Sequence, residues 1–302
     1  MHRYVFLLLL ATSVIQPLRA DQPTAAQKQA TVKYLHSLRK DNGAFAADTK
    51  PESKPTVPAT SSALRATNYF GGEVKNKEGA AKFVESCFNK KEGAFAATPG
   101  GEPDVRTTVI GLMALVELQV PLDEYVTPLV GYLVDSRIGK PTLFEDIRIT
   151  AAGLETLRSR TNKQVFVPRD WVEEINKLRN ADGSFGSGGN QARDTGSAAA
   201  ALLRLGVELE HKDKIIQTLK AGQRPDGGWG KDGEKSDQES TYRVLRCLMM
   251  LKAKPDIAAC EAFIARCRNA DGSYSVQPGQ PGSLSGTYFA GICLHWLEEM
   301  KK

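Results

Sequence analysis

The chain has 302 residues, 41% of them hydrophobic and 25% charged. That excludes a disordered segment and a multi-span membrane protein. The formal charge is +5, but Arg3 and Arg19 stand in the first twenty residues without an acid, so the rest carries +3. This is too small and too scattered for a nucleic-acid surface, and no nucleic-acid partner is expected.

Residues 1–20 read MHRYVFLLLLATSVIQPLRA. Arg3 supplies a positive n-region, Tyr4 to Ile15 an apolar run, and Pro17 a break. Ala20 offers a small residue for cleavage before Asp21. The run is shorter than the roughly twenty apolar residues of a spanning helix, so it predicts a secretory signal peptide. The rival reading is an uncleaved anchor. No later stretch is apolar enough to span. The mature chain, 21–302, is expected to be exported to a periplasm or the extracellular space, with no stable membrane span. Its five cysteines, Cys87, Cys247, Cys260, Cys267 and Cys293, are odd in number and sparse, so they predict buried small hydrophobes rather than a disulfide framework.

Along the mature chain a turn recurs. It reads Asn42-Gly43-Ala44-Phe45, Glu92-Gly93-Ala94-Phe95, Asp182-Gly183-Ser184-Phe185, Asp226-Gly227-Gly228-Trp229 and Asp271-Gly272-Ser273-Tyr274. The glycines lie 50, 90, 44 and 45 residues apart, so a decayed copy is expected near Gly139 to Phe144. Before each turn an amphipathic, charged helix is predicted, from AAQKQATVKYLHSLR in the first repeat to DIAACEAFIARCR in the sixth. After each turn comes a more apolar helix: SALRATNYF, TVIGLMALVEL, TAAGLETL, TGSAAAALLRL, TYRVLRCLMML and TYFAGICLHWL. Ser62, Thr108, Thr150, Thr195, Thr241 and Thr287 open these stretches. No strand is predicted.

Six pairs of one charged and one apolar helix predict an all-α fold, an α/α toroid with an outer and an inner ring. The last helix is as apolar as the middle ones, which favours a closed ring over an open solenoid with polar caps. Stacking the repeats gives two rim columns at the start of the inner helices. Four residues before the Ser/Thr column stand Pro58, Asp104, Asp146, Gln191, Asp237 and Ser283; two before it stand Thr60, Arg106, Arg148, Arg193, Glu239 and Ser285. Arg106, Arg148 and Arg193 come from adjacent repeats and could hold an anion at helix N-termini. The structural alternative is that Asp104, Asp146 and Asp237 cap helices while Arg106, Arg148 and Arg193 pair with Asp104, Asp146 and Asp194. Trp171, Trp229 and Trp296 are expected in the core. The alanine run of the fourth inner helix implies either a wide cavity or tight helix packing.

These turns and helices resemble the prenyltransferase and squalene-cyclase repeat, most tellingly in Gln223-Arg224-Pro225-Asp226-Gly227-Gly228-Trp229-Gly230. The resemblance covers about residues 25–300. EPDVRTTVIGLMALVEL and SDQESTYRVLRCLMML look most like the β subunits of Rab geranylgeranyltransferases. The resemblance implies the six-hairpin toroid, with a central cavity that holds an isoprenoid, and a zinc ion held by Asp, Cys and His. Asp237 matches the Asp ligand, but Glu239 stands at the Cys position and no histidine lies near Gly286-Thr287-Tyr288. A metal site of Asp237 and Glu239 is therefore degenerate: no cofactor is expected, and zinc is the one possible, with its Cys and His ligands missing. The family's diphosphate-binding residues map onto Lys231, onto Glu234 with Lys235 adjacent, and onto Ser240 with Tyr242 two further on. The cyclase branch's acid motif falls at Gln191-Ala192-Arg193-Asp194-Thr195 and lacks two of its three acids. Export argues against a cytosolic α-subunit partner.

Three functions are compatible with these residues. The first is an exported toroid that binds a lipid, peptide or other anionic ligand in its central cavity. The second is a working geranylgeranyltransferase type II β-like transferase with an altered metal site. The third is an exported α/α-barrel enzyme that uses a pair such as Asp237 and Glu239 on glycans. Whether the chain is an enzyme stays open at this point.

Overall fold

A computed structural model describes residues 22–137, 144–161 and 167–302. The expected signal peptide, 1–20, lies outside the described residues, as do residues 138–143 of the decayed turn. Phe144 opens the helix that follows it.

Six helical hairpins follow one another. The outer helices are α1 (Ala25–Ser37), α3 (Lys77–Ser86), α5 (Asp123–Leu133), α7 (Arg169–Asn176), α9 (Lys212–Ala221) and α11 (Ile257–Arg266). The inner helices are α2 (Val57–Tyr69), α4 (Val105–Glu117), α6 (Phe144–Thr161), α8 (Gln191–Arg204), α10 (Gln238–Met250) and α12 (Leu284–Lys301). Each inner helix packs on the next, and α12 packs back on α2. The ring is closed, as the apolar last helix requires. α12 is buried between α10 and α2 along most of its length, from Leu284 to Met300. The outer α7, by contrast, buries only Trp171 and Ile175.

Each turn is held by one hydroxyl. The amides of Phe45, Phe95, Phe185, Trp229 and Tyr274 donate to Oγ1 of Thr60, Thr108, Thr195, Thr241 and Thr287 at 3.0, 3.1, 2.9, 3.1 and 3.0 Å. In the first repeat this corrects the predicted register. Thr60, not Ser62, meets the turn, and Thr56, not Pro58, caps α2. Pro58 has neither side-chain oxygen nor N–H and sits in the first helical turn, where a missing donor does no harm. Thr150 finds no hydroxyl partner among the described residues.

The turns also carry short strands that the sequence reading missed. β1 (Phe88–Asn89) pairs with β2 (Ala94–Phe95), and β3 (Trp229–Gly230) pairs with β4 (Ser236–Asp237), both antiparallel. Two-residue strands carry no alternating pattern long enough to read; their connecting loops, 90–93 and 231–235, each hold one glycine at positive φ, Gly93 and Gly233.

The turn glycines set the spacing of the hairpins. Gly227 has φ +88°, and a Cβ there would lie 1.9 Å from the Ala259 carbonyl oxygen on the next outer helix, α11. Gly272 has φ +87° and approaches Ala30 of α1 in the same way, with 2.5 Å to its carbonyl. The sixth turn thus meets the first outer helix. Thr31 Oγ1 seals that contact by donating to the Gly272 carbonyl at 2.7 Å. Close by, buried Glu261 accepts from Gln22 Nε2 at 2.6 Å and pairs with Lys301 Nζ at 2.7 Å, which ties the segment before α1 and the end of α12 to α11.

The five cysteines are free and buried. Burial pushes the Cys87 thiol up to about 11 and Cys247 and Cys267 up to about 12, so none is a reactive thiolate at neutral pH. All three tryptophans are in the core, as expected. Among the described residues no helix is long and apolar enough to cross a membrane.

Candidate functional site

The N-terminal ends of α6, α8 and α10 meet at one rim of the ring. Asp237 is the N-cap of α10. Its Oδ1 accepts from the Ser240 amide at 2.7 Å and its Oδ2 from the Ser240 hydroxyl at 2.8 Å. Asp104 clamps Thr107 on α4 in the same two-handed way, at 2.8 and 2.6 Å. Asp237 therefore does what an aspartate does in another repeat, and capping accounts for it. Asp146 does not cap: it lies inside the first turn of α6.

Glu239 faces arginines. Arg243 Nε and Nη2 donate to its Oε1 at 3.1 and 2.6 Å, and Arg193 Nη2 lies 3.9 Å away. Burial pushes the Glu239 carboxyl up, but Arg243, Arg193 and Lys231 outweigh it and hold the group below its usual range. Arg243 Nη1 reaches Glu145 Oε1 at 3.6 Å, and Glu145 Oε2 accepts from Arg148 Nε and Nη2 at 2.9 and 2.6 Å. Arg193 Nη1 pairs with Asp194 Oδ1 at 3.2 Å. The result is one chain of alternating charge, Arg148–Glu145–Arg243–Glu239–Arg193–Asp194, laid across three inner helices.

The predicted rim residues divide accordingly. Arg148 and Arg193 belong to this network, Arg193 with the partner expected and Arg148 with Glu145 instead of Asp146. Arg106 is exposed and pairs with neither Asp104 nor any other described residue. Lys231 is half-buried near Glu239. Lys235 stays exposed on the β3–β4 hairpin. Tyr242 is not at the rim: its ring stacks on Trp296 at 5.5 Å and touches Phe289 at 5.0 Å.

Below the rim, the axis of the ring is lined by arginine. Arg148, Arg204, Arg243 and Arg246 surround a cavity walled by Gly196, Ser197, Ala200 and Ala201 of α8. Its free space is about 10 Å³, room for roughly one water. The alanine run is thus explained twice over. A Cβ on Gly196 would lie 3.0 Å from the Arg243 carbonyl oxygen, so α8 and α10 pack tightly there. One turn on, the small side chains leave space that guanidinium groups fill.

Arg246 is the most unusual of the four. It is 8% exposed, and its Nε has no hydrogen-bond partner. Its guanidinium lies 4.0 Å from the Tyr242 ring centre and 5.9 Å from that of Trp296. Among the described residues no carboxylate pairs with it. Burial first, and the neighbouring Arg204 second, push it well below the usual arginine value. Arginine does not release its proton in proteins, so this shift is felt as unfavourable energy of a charge held in place. Among the described residues the Arg204 side chain has one ionic partner, Glu155 Oε2 at 2.9 Å from its Nε, but without hydrogen-bond geometry. Across the ring, Arg65 of α2 lies 4.8 Å over the Tyr288 ring.

Arg65, Arg204, Arg243 and Arg246 were not picked out from the sequence. The signal was present: guanidinium groups stand inside otherwise apolar inner helices, in SALRATNYF, TGSAAAALLRL and TYRVLRCLMML. Counted from Ser62 they fall at different offsets, so no column exposes them; only with Thr60 as the first member do Arg65 and Arg246 share one, five residues after Thr60 and Thr241.

The donors do not fit zinc. Asp237 spends both oxygens on its cap, Glu239 is held by two arginines, and neither has a soft ligand beside it. Among the described residues no three His, Cys, Asp or Glu side chains are grouped to hold a metal.

The model of one family, the prenyltransferase alpha-alpha toroid domain, matches residues 2–137 and 149–302. No curated protein matches the sequence. Solved structures do. Protein geranylgeranyltransferase-I of Candida albicans, complexed with GGPP, is 16% identical, with a TM-score of 0.63, covering 92% of this chain and 88% of that one. The type II terpene cyclase MstE from Scytonema is 13% identical, with a TM-score of 0.57, covering 91% and 97%. At these identities the likeness shows the fold alone.

Proposed function

The chain belongs to the prenyltransferase alpha-alpha toroid family, and we propose that it is an exported member that binds an anionic ligand in its central cavity without metal chemistry. Residues 1–20 support export. The capped Asp237 and the arginine-bound Glu239 support loss of the zinc site. The observation that carries the reading is the arginine lining of the axis. Four guanidinium groups around one cleft of about 10 Å³ strongly favour negative charge there, and that cleft itself is too small for an isoprenoid tail. A lipid or peptide would enter through an anionic group, not through an apolar chain threaded along the axis.

The test is native mass spectrometry of the purified mature chain with metal analysis and a titration of geranylgeranyl diphosphate. The expected result is a mass that begins at residue 21, no zinc, and a titration that zinc removal leaves unchanged. One zinc per chain, with diphosphate binding that chelation abolishes, would restore the transferase reading, and Asp237 and Glu239 would be its first mutants.

A further inference from the structure

The axial arginines outnumber the carboxylates that answer them. Among the described residues, Arg65, Arg148, Arg193, Arg204, Arg243 and Arg246 face Glu145, Glu155, Glu239 and Asp194, two more guanidinium groups than carboxylates. Peripheral Arg158 and Lys231 against Glu117 do not reduce that excess. The excess is not spread evenly. Glu145 and Glu239 sit at the rim, where Arg148, Arg193 and Arg243 use them, while Arg246 sits deeper with an unpartnered Nε and no acid. An uncompensated buried guanidinium is strongly unfavourable unless something anionic joins it.

We propose that Arg148, Arg204, Arg243 and Arg246 form a cage for one small oxyanion of the phosphate or sulfate class, free or as the terminal group of a monoester. The inference rests on the reading of the cavity as an anion site and fixes its place and size. Four planar donor forks from three helices can meet the several oxygens of a tetrahedral dianion. The Ser197 hydroxyl, already 3.3 Å from Arg243 Nη1, stands on the wall beside them. The residual space holds about one water, so the long arginine side chains must draw back as the ion enters. The cage lies between the rim network, to which Arg148 and Arg243 belong, and the deeper Arg204 and Arg246, apart from the Lys231 and Lys235 positions.

The experiment is a thermal-shift and calorimetric titration of the mature chain with inorganic phosphate and with sulfate, against chloride at equal ionic strength. Two variants are titrated beside it. Arg246→Met removes the unpaired charge while keeping the stem's volume. Ala200→Leu fills the cavity and leaves every charge in place. The wild type is expected to show saturable protection by phosphate or sulfate but not chloride. Arg246→Met is expected to weaken binding about tenfold or more, the scale of one lost charge-assisted hydrogen bond. Ala200→Leu is expected to weaken it too, which keeps the test intact if Arg246→Met fails to fold. Glycerol phosphate and flotation with phosphatidic acid vesicles separate the sources. Protection by free phosphate alone means a soluble ion, protection by glycerol phosphate a soluble monoester, and flotation that Arg246→Met abolishes a lipid head group. Absence of protection in the wild type overturns the cage. Protection that survives in both variants also overturns it, by placing the anion elsewhere, and leaves the wider reading standing. Zinc-dependent diphosphate binding, in contrast, would remove the wider reading itself.

Discussion

At the threonine column five repeats do the same thing: a hydroxyl receives the amide of the turn aromatic at 2.9 to 3.1 Å. Two residues earlier each repeat does something different. Arg106 is exposed and unpaired, Arg148 holds Glu145, Arg193 holds Asp194, and Glu239 is itself held by Arg243. The first position faces the turn, where every hairpin has the same problem of an amide with nowhere else to go. The second faces the axis, where six helices of different sequence meet one shared space. Repetition therefore marks what holds the ring together, and departure from repetition marks where it could differ from its relatives.

The most damaging change should be at a turn glycine. Gly227→Ala puts a methyl 1.9 Å from the Ala259 backbone and strains φ +88°. Both effects act on a contact between successive hairpins, and a loss of about 3 kcal/mol or more is expected in denaturant unfolding. Gly279→Ala is the control. Its φ of +79° is similar, but nothing lies within 4 Å of the added carbon, so only the conformational strain remains, about 1–2 kcal/mol. Equal losses at the two sites would break the claim that turn glycines set hairpin spacing.

Next in size is the threonine column. Thr241→Val leaves the Trp229 amide buried without its acceptor, at an expected cost of about 1–3 kcal/mol. Thr241→Ser keeps the oxygen and should recover most of that loss. If serine were as poor as valine, packing of the methyl would contribute as much as the hydroxyl does.

This difference also explains what could be read from the sequence. The turns, the helix pairs and the closed ring recur with a period, and period is visible without coordinates. The first repeat misled by two residues because Ser62 and Thr60 both carry hydroxyls, and only the contact with Phe45 tells them apart. The axis was less legible. Arg148 and Arg193 lay in a column and were found, whereas Arg246 lies five residues past Thr241 and Arg204 nine past Thr195. They converge through helix length and rotation, which no linear spacing displays. Asp237 showed the reverse failing. It matched a family position by sequence, and its geometry is that of the cap also made by Asp104.

Smaller effects separate the rim from the turns through pH. The Glu239 carboxyl is held below its usual range by Arg243 against the upward push of burial. A lowered folded-state value means that its stabilisation is complete above the unfolded value of about 4.3 and is lost as pH falls through the folded one. Glu239→Gln should therefore lower stability at pH 7 and shrink the further loss between neutral and acid pH. Denaturant midpoints at pH 7 and below 4 measure both. Glu145, lowered by Arg148 and Arg243 in the same way, keeps some of the acid sensitivity in that variant. A wild-type pH slope in Glu239→Gln would mean that the rim network contributes nothing as a charge pair.

The smallest effect belongs to Arg106, and its smallness carries information. By sequence it is the equal of Arg148 and Arg193, three repeats offering the same residue at the same rim position. By structure it is solvated and without a partner among the described residues, while the other two are half-buried in the charge network. Arg106→Ala should change stability by no more than about 0.5 kcal/mol, as for an ordinary surface substitution. It should also leave phosphate protection at its wild-type strength, because the cage is built from α6, α8 and α10, and α4 is not among them. A loss of anion binding in Arg106→Ala would show that the column, not the local network, is the unit of recognition. The anion would then belong at the rim of the ring, above the buried arginines.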